Sequence, residues 1–169
     1  MPFAALGAEE VELRAREGTI APNLQLAIAH APDVARNQMV LLRSITAGFD
    51  QRLIELVILQ QAIIAGNAYC WGHHVPVAIG AGYTEEQLRG LRDGDDSLLD
   101  EGDRQIAAYV RALLARSVSE EQFAGLRRLL GEEDLVKVTM LVGHYTMVGL
   151  AQAAMDVPQD EGFGGFECP

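Results

Sequence analysis

The chain has 169 residues, 49% of them apolar, which suits a single domain whose core needs neither disulfides nor metal. Its 24 acidic and 13 basic residues leave a formal charge of -11, which repels nucleic acid and anionic membranes and argues against both as partners. Two cysteines, Cys70 and Cys168, are too few for a disulfide framework and form no CxxC pair, so cysteine function is expected to be chemical rather than structural.

No basic stretch followed by an apolar run opens the chain, and no window is long and apolar enough to span a bilayer, so a soluble, cytoplasmic protein is expected. Apolar residues recur with a period of about 3.6 and β-branched alternation is missing, which predicts an all-α fold. A short helix is expected over 9–16, and Pro22 and Pro32 stand where helices begin, the second opening an amphipathic helix over 33–47 closed by Gly48. The segment 51–65 is apolar almost all round and predicts a central, buried helix.

Gly66 and Asn67 end that helix, and Asn67 is placed to cap the next, which runs through Cys70 and His74 to Gly80 and completes a helical hairpin. Thr84, three residues before Gln87, resembles a capping box and starts a short helix ending near Arg92. Helices are expected over 100–115, 119–130 and 132–155, the last with Gly143, Gly149, Ala151 and Ala153 for close packing. The domain is read as 1–157, followed by a glycine-rich, acidic tail over 158–169 that docks, if at all, through its phenylalanines.

Cys70 falls three residues past the expected cap, at the positive end of a helix dipole that favours thiolate over thiol. His74 lies one turn later on the same face, so the two make a candidate nucleophile and base. Glu55 is the only acidic or basic side chain from Leu53 to Thr84, histidines apart, and a carboxyl on so apolar a helix can relay protons. The structural alternative stays open: a lone cysteine is commonly an inert small hydrophobe.

His73 points about a quarter turn from His74, as a surface or interface residue would, and without a third nearby ligand no metal is expected. His30 and His144 stand alone on their segments and read as core or cap histidines. Tyr69, Trp71, His73 and Tyr145 are candidates for lining an apolar substrate pocket near the hairpin, although aromatics at helical spacing also serve as core.

The run from Glu55 to Leu59, then Gly66-Asn67-Ala68-Tyr69-Cys70-Trp71-Gly72-His73-His74, then Ala81 to Glu86, resembles the signature of the carboxymuconolactone decarboxylase and alkylhydroperoxidase D superfamily. In alkylhydroperoxidase D that signature is a glutamate, a CxxC pair beginning twelve residues later, and a histidine four residues after the second cysteine. Glu55, Cys70 and His74 match three of these positions, while Asn67 stands in place of the first cysteine and removes the local disulfide that such enzymes use. Tyr69 replaces a histidine often found between the cysteines. In the decarboxylase branch a similar stretch places glutamate where Cys70 stands here. The resemblance implies an AhpD-like helical bundle, a homo-oligomer of three or six protomers, and no cofactor.

Three functions follow as expectations. The first is a peroxiredoxin-type thiol peroxidase, an antioxidant oxidoreductase in which Cys70 attacks a hydroperoxide, Glu55 and His74 shuttle protons, and Cys168 or an outside thiol reductant resolves the sulfenic acid. The second is cofactor-free acid-base chemistry by His74 and Glu55 on a small carboxylated lactone or related acid. The third is a helical accessory subunit without activity. The absence of Lys and Arg from Leu53 to Leu88 favours peroxide over a carboxylated substrate.

Overall fold

The computed structural model describes residues 22–163, all of whose regular structure is helical. In chain order the helices are α1 (Asn23–Ile28), α2 (Pro32–Thr46), α3 (Gln51–Ala65), α4 (Ala68–Gly80), α5 (Glu85–Asp93), α6 (Glu101–Leu114) and α7 (Glu120–Ala154). The expected helix over 9–16 lies outside the described residues, as does Cys168.

Helix α3 is the centre of the fold because almost every side chain on it from Ile54 to Ala62 is buried. It packs against α4, α6 and α7, and Leu56, Val57, Leu59 and Ala62 are fully enclosed there. Burying a Leu or Val side chain stabilises by about 1.5–3 kcal/mol, so this one helix anchors the core. Asp50 caps its start by accepting from the Arg52 N–H at 3.1 Å. Gly66 ends it in the left-handed region at φ 60, where a side chain would be strained.

The turn into α4 is therefore only Gly66 and Asn67, which forces α3 and α4 into an antiparallel hairpin. The N–H of Cys70 donates to the Asn67 side-chain oxygen at 2.9 Å, so Asn67 caps α4 as the sequence predicted. Thr84 and Gln87 form a full capping box at α5, and Ser119 and Gln122 form a second at α7. Helix α7 is broken at Gly131, with φ 81 and ψ 176, at the boundary expected between 119–130 and 132–155.

A polar clamp fixes the base of the hairpin. Arg52 pairs with Asp103 at 2.6 Å, donates to the Gly82 carbonyl at 3.1 Å, and stacks 3.8 Å over the Tyr83 ring. Tyr83 donates its hydroxyl to the same Asp103 at 2.9 Å, which ties α3, α6 and the turn after α4 together.

At the other end of the hairpin, residues following α7 fold back over α4. Asp160 accepts from the Asn23 backbone N–H at 2.9 Å and from the Tyr69 hydroxyl at 2.5 Å, and lies 2.8 Å from His73 Nε2. Phe163 stacks on the His73 ring with centroids 4.1 Å apart. The tail thus docks through a phenylalanine, as expected, and also through a carboxylate that the sequence did not single out. Gly72 lies beneath this segment, where an added Cβ would stand 2.6 Å from the end of the Gln159 side chain and 3.5 Å from the Phe163 carbonyl oxygen. Val157 completes a small apolar cluster with Leu24, Ala27, Tyr69 and Val148. Among the described residues, no helix is long and apolar enough to cross a membrane.

Candidate active site

Helices α3 and α4 bring the three candidate catalytic residues to one region. Glu55 is only 2% exposed, yet it is not left unpaired. Its Oε2 lies 2.8 Å from His74 Nδ1, and its Oε1 accepts from the Gln51 side chain at 2.5 Å. A hydrogen bond to Nδ1 fixes the orientation of the imidazole and leaves Nε2 as the nitrogen that can work on a ligand.

Cys70 and His74 line the same cavity of about 120 Å³. Cys70 is 7% exposed and sits in the first turn of α4, with its N–H tied to the Asn67 cap. The dipole of α4 therefore acts on the sulfur in the sense that favours negative charge. The walls come from four helices: Leu24 and Gln25 of α1, Leu42 of α2, Tyr69, Cys70, His73 and His74 of α4, and His144, Tyr145, Val148 and Gly149 of α7, with Asn67 at the turn. Among the described residues, the lining includes no Lys, Arg, Asp or Glu.

Tyr145 meets His74 edge to face, with ring centroids 5.2 Å apart. Burial, together with the negative charges that Cys70 and Glu55 can carry, pushes its hydroxyl well above the ordinary tyrosine range. Tyr145 therefore stays protonated beside the sulfur and the carboxylate. Tyr69 is held protonated in the same way, first by burial and then by its bond to Asp160.

The remaining sequence candidates fall in different places. Tyr69, His73 and Tyr145 line the cavity, whereas Trp71 is 1% exposed and belongs to the main core. His73, expected as a surface or interface residue, lies beneath Phe163 and beside Asp160. Burial lowers its tendency to protonate, and Asp160 opposes that effect. Among the described residues no three His, Cys, Asp or Glu side chains gather as a metal site would require.

Residues 32–100 match the carboxymuconolactone decarboxylase family. Over these residues, fewer than half of the chain, the sequence is similar to that family. The matched segment runs from α2 to just before α6 and contains Glu55, Asn67, Cys70 and His74.

Solved structures share the fold over most of the chain. One is a protein of unknown function from Agrobacterium tumefaciens, proposed to be an antioxidant defence protein AhpD. It is 23% identical over 78% of this chain and 94% of that one, with a TM-score of 0.71. A debrominase is 21% identical over 90% of this chain and 86% of that one, with a TM-score of 0.73, and a cysteine-to-alanine variant of it is known in complex with 2,3,4-tribromopyrrole. An uncharacterised peroxidase-related protein with an alkylhydroperoxidase AhpD core, from Ralstonia eutropha, is 16% identical over 95% of this chain and 90% of that one, with a TM-score of 0.76. No curated protein matches the sequence.

The family match leaves some of the cavity unexplained, because His144, Tyr145, Val148 and Gly149 lie beyond the matched segment. Gly149 is one residue whose smallness the sequence did flag: a Cβ there would stand 2.8 Å from the Asn67 side chain, so glycine lets α7 approach the cap of α4. His144 carried no such signal, since nothing at helical spacing around it marks the residue as part of a site.

Proposed function

We propose that the protein is a thiol peroxidase in which Cys70 is the nucleophile, His74 the base and then the acid, and Glu55 the group that orients and charges His74. The observation that carries this reading is the arrangement of Cys70 and His74 on one cavity with His74 Nδ1 2.8 Å from the buried Glu55. A nucleophile, a base and a third group orienting that base are the parts such chemistry needs.

His74 Nε2 takes the Cys70 thiol proton, and Glu55 stabilises the imidazolium through Nδ1. The thiolate attacks the distal oxygen of the hydroperoxide, the new bond being S–O. The O–O bond breaks heterolytically, and both its electrons leave with the alkoxide. The alkoxide takes the proton from His74 Nε2. Sulfur is oxidised by two electrons to a sulfenic acid, and the peroxide is reduced to an alcohol. A second thiol then displaces water from the sulfenic acid to give a disulfide, which a further thiol reduces. Cys168 is a candidate for that second thiol: Asp160 and Phe163 anchor the tail on α4, and only a short stretch of chain separates Phe163 from Cys168.

The cavity suits this substrate class. At about 120 Å³ it is slightly smaller than a cavity of about 150 Å³ that holds benzene, so it takes a small molecule or the reacting end of a longer one. The alternative, acid-base chemistry on a carboxylated lactone, keeps the Glu55 and His74 pair but finds no Lys or Arg among the described lining residues to hold a carboxylate. Turnover of tert-butyl hydroperoxide with a dithiol reductant tests the two. Cys70→Ser should abolish it under the peroxidase reading, and retained turnover would sink that reading.

A further inference from the structure

We propose that His144 is a substrate-positioning residue, whose imidazole hydrogen-bonds the polar atom of a small uncharged ligand on the α7 wall of the cavity. The inference rests on the reading that this cavity is the substrate site, and it specifies the class of molecule the site takes.

Several polar groups of the cavity are committed already. The Tyr69 hydroxyl accepts from the Leu24 N–H at 3.1 Å and donates to Asp160. His73 is held by Asp160, His74 Nδ1 by Glu55, and the Asn67 oxygen by the Cys70 N–H. His144 stands apart from them. It is 5% exposed, it lines the cavity, and its Nδ1 is enclosed with no hydrogen-bond partner among the described residues.

An imidazole buried with a nitrogen unsatisfied is costly to keep, so such a group in a fold calls for a physical reason. Core packing alone does not supply one, because a leucine or phenylalanine would fill the space without the cost. A half-turn of the ring about its Cβ–Cγ bond exchanges a nitrogen for a carbon at the same outline, so either edge can be offered to a group entering the cavity. Burial also keeps the ring neutral, with one nitrogen as donor and the other as acceptor.

A neutral imidazole is suited to a hydroxyl, a hydroperoxy oxygen or an N–H, and it gives no advantage to an anion. The rest of the described lining agrees, as it contains no fixed positive charge. The Cys70 and His74 wall belongs to α4 and the His144 wall to α7. A ligand held by His144 is thereby bound from a different helix than the one that carries the sulfur, and two such contacts fix its orientation.

The test uses phenol, toluene and benzoate as probes, ring-sized molecules that differ in one polar group. Affinities are measured by titration calorimetry or ligand-observed NMR on the full chain carrying Cys70→Ser, so that the outcome does not depend on sulfur chemistry. We expect the phenol-to-toluene affinity ratio to fall about tenfold in His144→Leu and to be largely kept in His144→Gln, which retains hydrogen bonding. Phenol should also bind at least about tenfold better than benzoate. A ratio unchanged by His144→Leu, or benzoate binding as well as phenol, overturns the proposal.

If His144→Leu does not fold, side-chain nitrogen NMR of the protein with native His144 decides. Phenol should shift the His144 ring resonances while toluene leaves them nearly unmoved, and equal responses overturn the assignment. Failure here with a trapped sulfenic acid at Cys70 removes only the role of His144. Success here without Cys70 oxidation removes the peroxidase reading and leaves the binding site.

Discussion

The Nδ1 atom of His74 lies 2.8 Å from Oε2 of Glu55, across a hairpin in which the two residues are 19 positions apart. The contact spans two helices joined by a turn of only Gly66 and Asn67, so its geometry is set by the tightness of the turn and by the packing of α3 on α4. One side of the pair is sealed in the core and the other opens on the cavity that contains Cys70.

Loss of the base should be more damaging than loss of the nucleophile's surroundings. His74→Ala is expected to lower kcat/KM for a small hydroperoxide by about 10²–10⁴-fold, the usual contribution of positioned proton transfer. Glu55→Gln should lower it by up to about 10⁴-fold, because the imidazole loses the charge that stabilises its protonated form. Stopped-flow kinetics of both variants checks this, and a Glu55→Gln enzyme as fast as wild type would mean that Glu55 only fills the core.

Asn67 offers a test by conversion. It caps α4 through the Cys70 N–H, and it stands where the alkylhydroperoxidase D signature that the sequence resembles has a cysteine. In Asn67→Cys the two thiols lie at the cap and third positions of one helix turn. After one equivalent of peroxide this variant should hold an internal disulfide instead of a trappable sulfenic acid. A sulfenic acid adduct at wild-type yield would show that the two positions do not bridge.

The tail contact has a measurable energy. Asp160→Ala removes the acceptor for the Asn23 N–H, the Tyr69 hydroxyl and the imidazole of His73. A loss of about 1–3 kcal/mol is expected, visible as a lower unfolding midpoint in urea. Limited proteolysis should also cut the chain faster beyond residue 157. Unchanged stability and unchanged cleavage would mean that the tail adds nothing to the fold.

Burial of His144 predicts a pH dependence. Desolvation lowers its tendency to protonate in the folded protein below that of an exposed histidine, near pH 6.5. Above that pH both states hold the ring neutral and it makes no difference to folding. Below it the unfolded chain takes up a proton that the folded chain declines, so stability falls as the pH drops. His144→Gln should therefore lose less thermal stability between pH 7.5 and 5.5 than wild type, and an equal loss in both would remove His144 from this account.

Much of this was legible in the sequence, for reasons that lie in local chemistry. Gly66 and Asn67 mark a helix end and a helix start by φ preference and side-chain capping, and both act within a few residues. The capping box of Thr84 and Gln87 and the break at Gly131 are local in the same way. Cys70 and His74 are one turn apart on α4, so their shared face follows from helical geometry alone.

The remainder depends on long-range packing. His144 reaches the cavity because α7 crosses near the cap of α4 at Gly149, which no spacing within α7 announces. Leu24, Gln25 and Leu42 join the walls through α1 and α2 for the same reason. Trp71 looked like a pocket residue because it stands next to Cys70, but adjacent positions on a helix face different ways and Trp71 turns into the core. Asp160 gave no signal, since one carboxylate in an acidic tail is indistinguishable from its neighbours until it meets Tyr69 and His73.

The central claim is that the sulfur of Cys70 is the atom that reacts. Intact-mass spectrometry before and after one equivalent of tert-butyl hydroperoxide, with dimedone as trap and peptide mapping, tests it most directly. The account predicts a dimedone adduct on the Cys70 peptide, or a disulfide joining Cys70 to Cys168, and neither in Cys70→Ser. A Cys70 that stays a thiol while the peroxide is consumed, or under a large excess of it, would contradict the account.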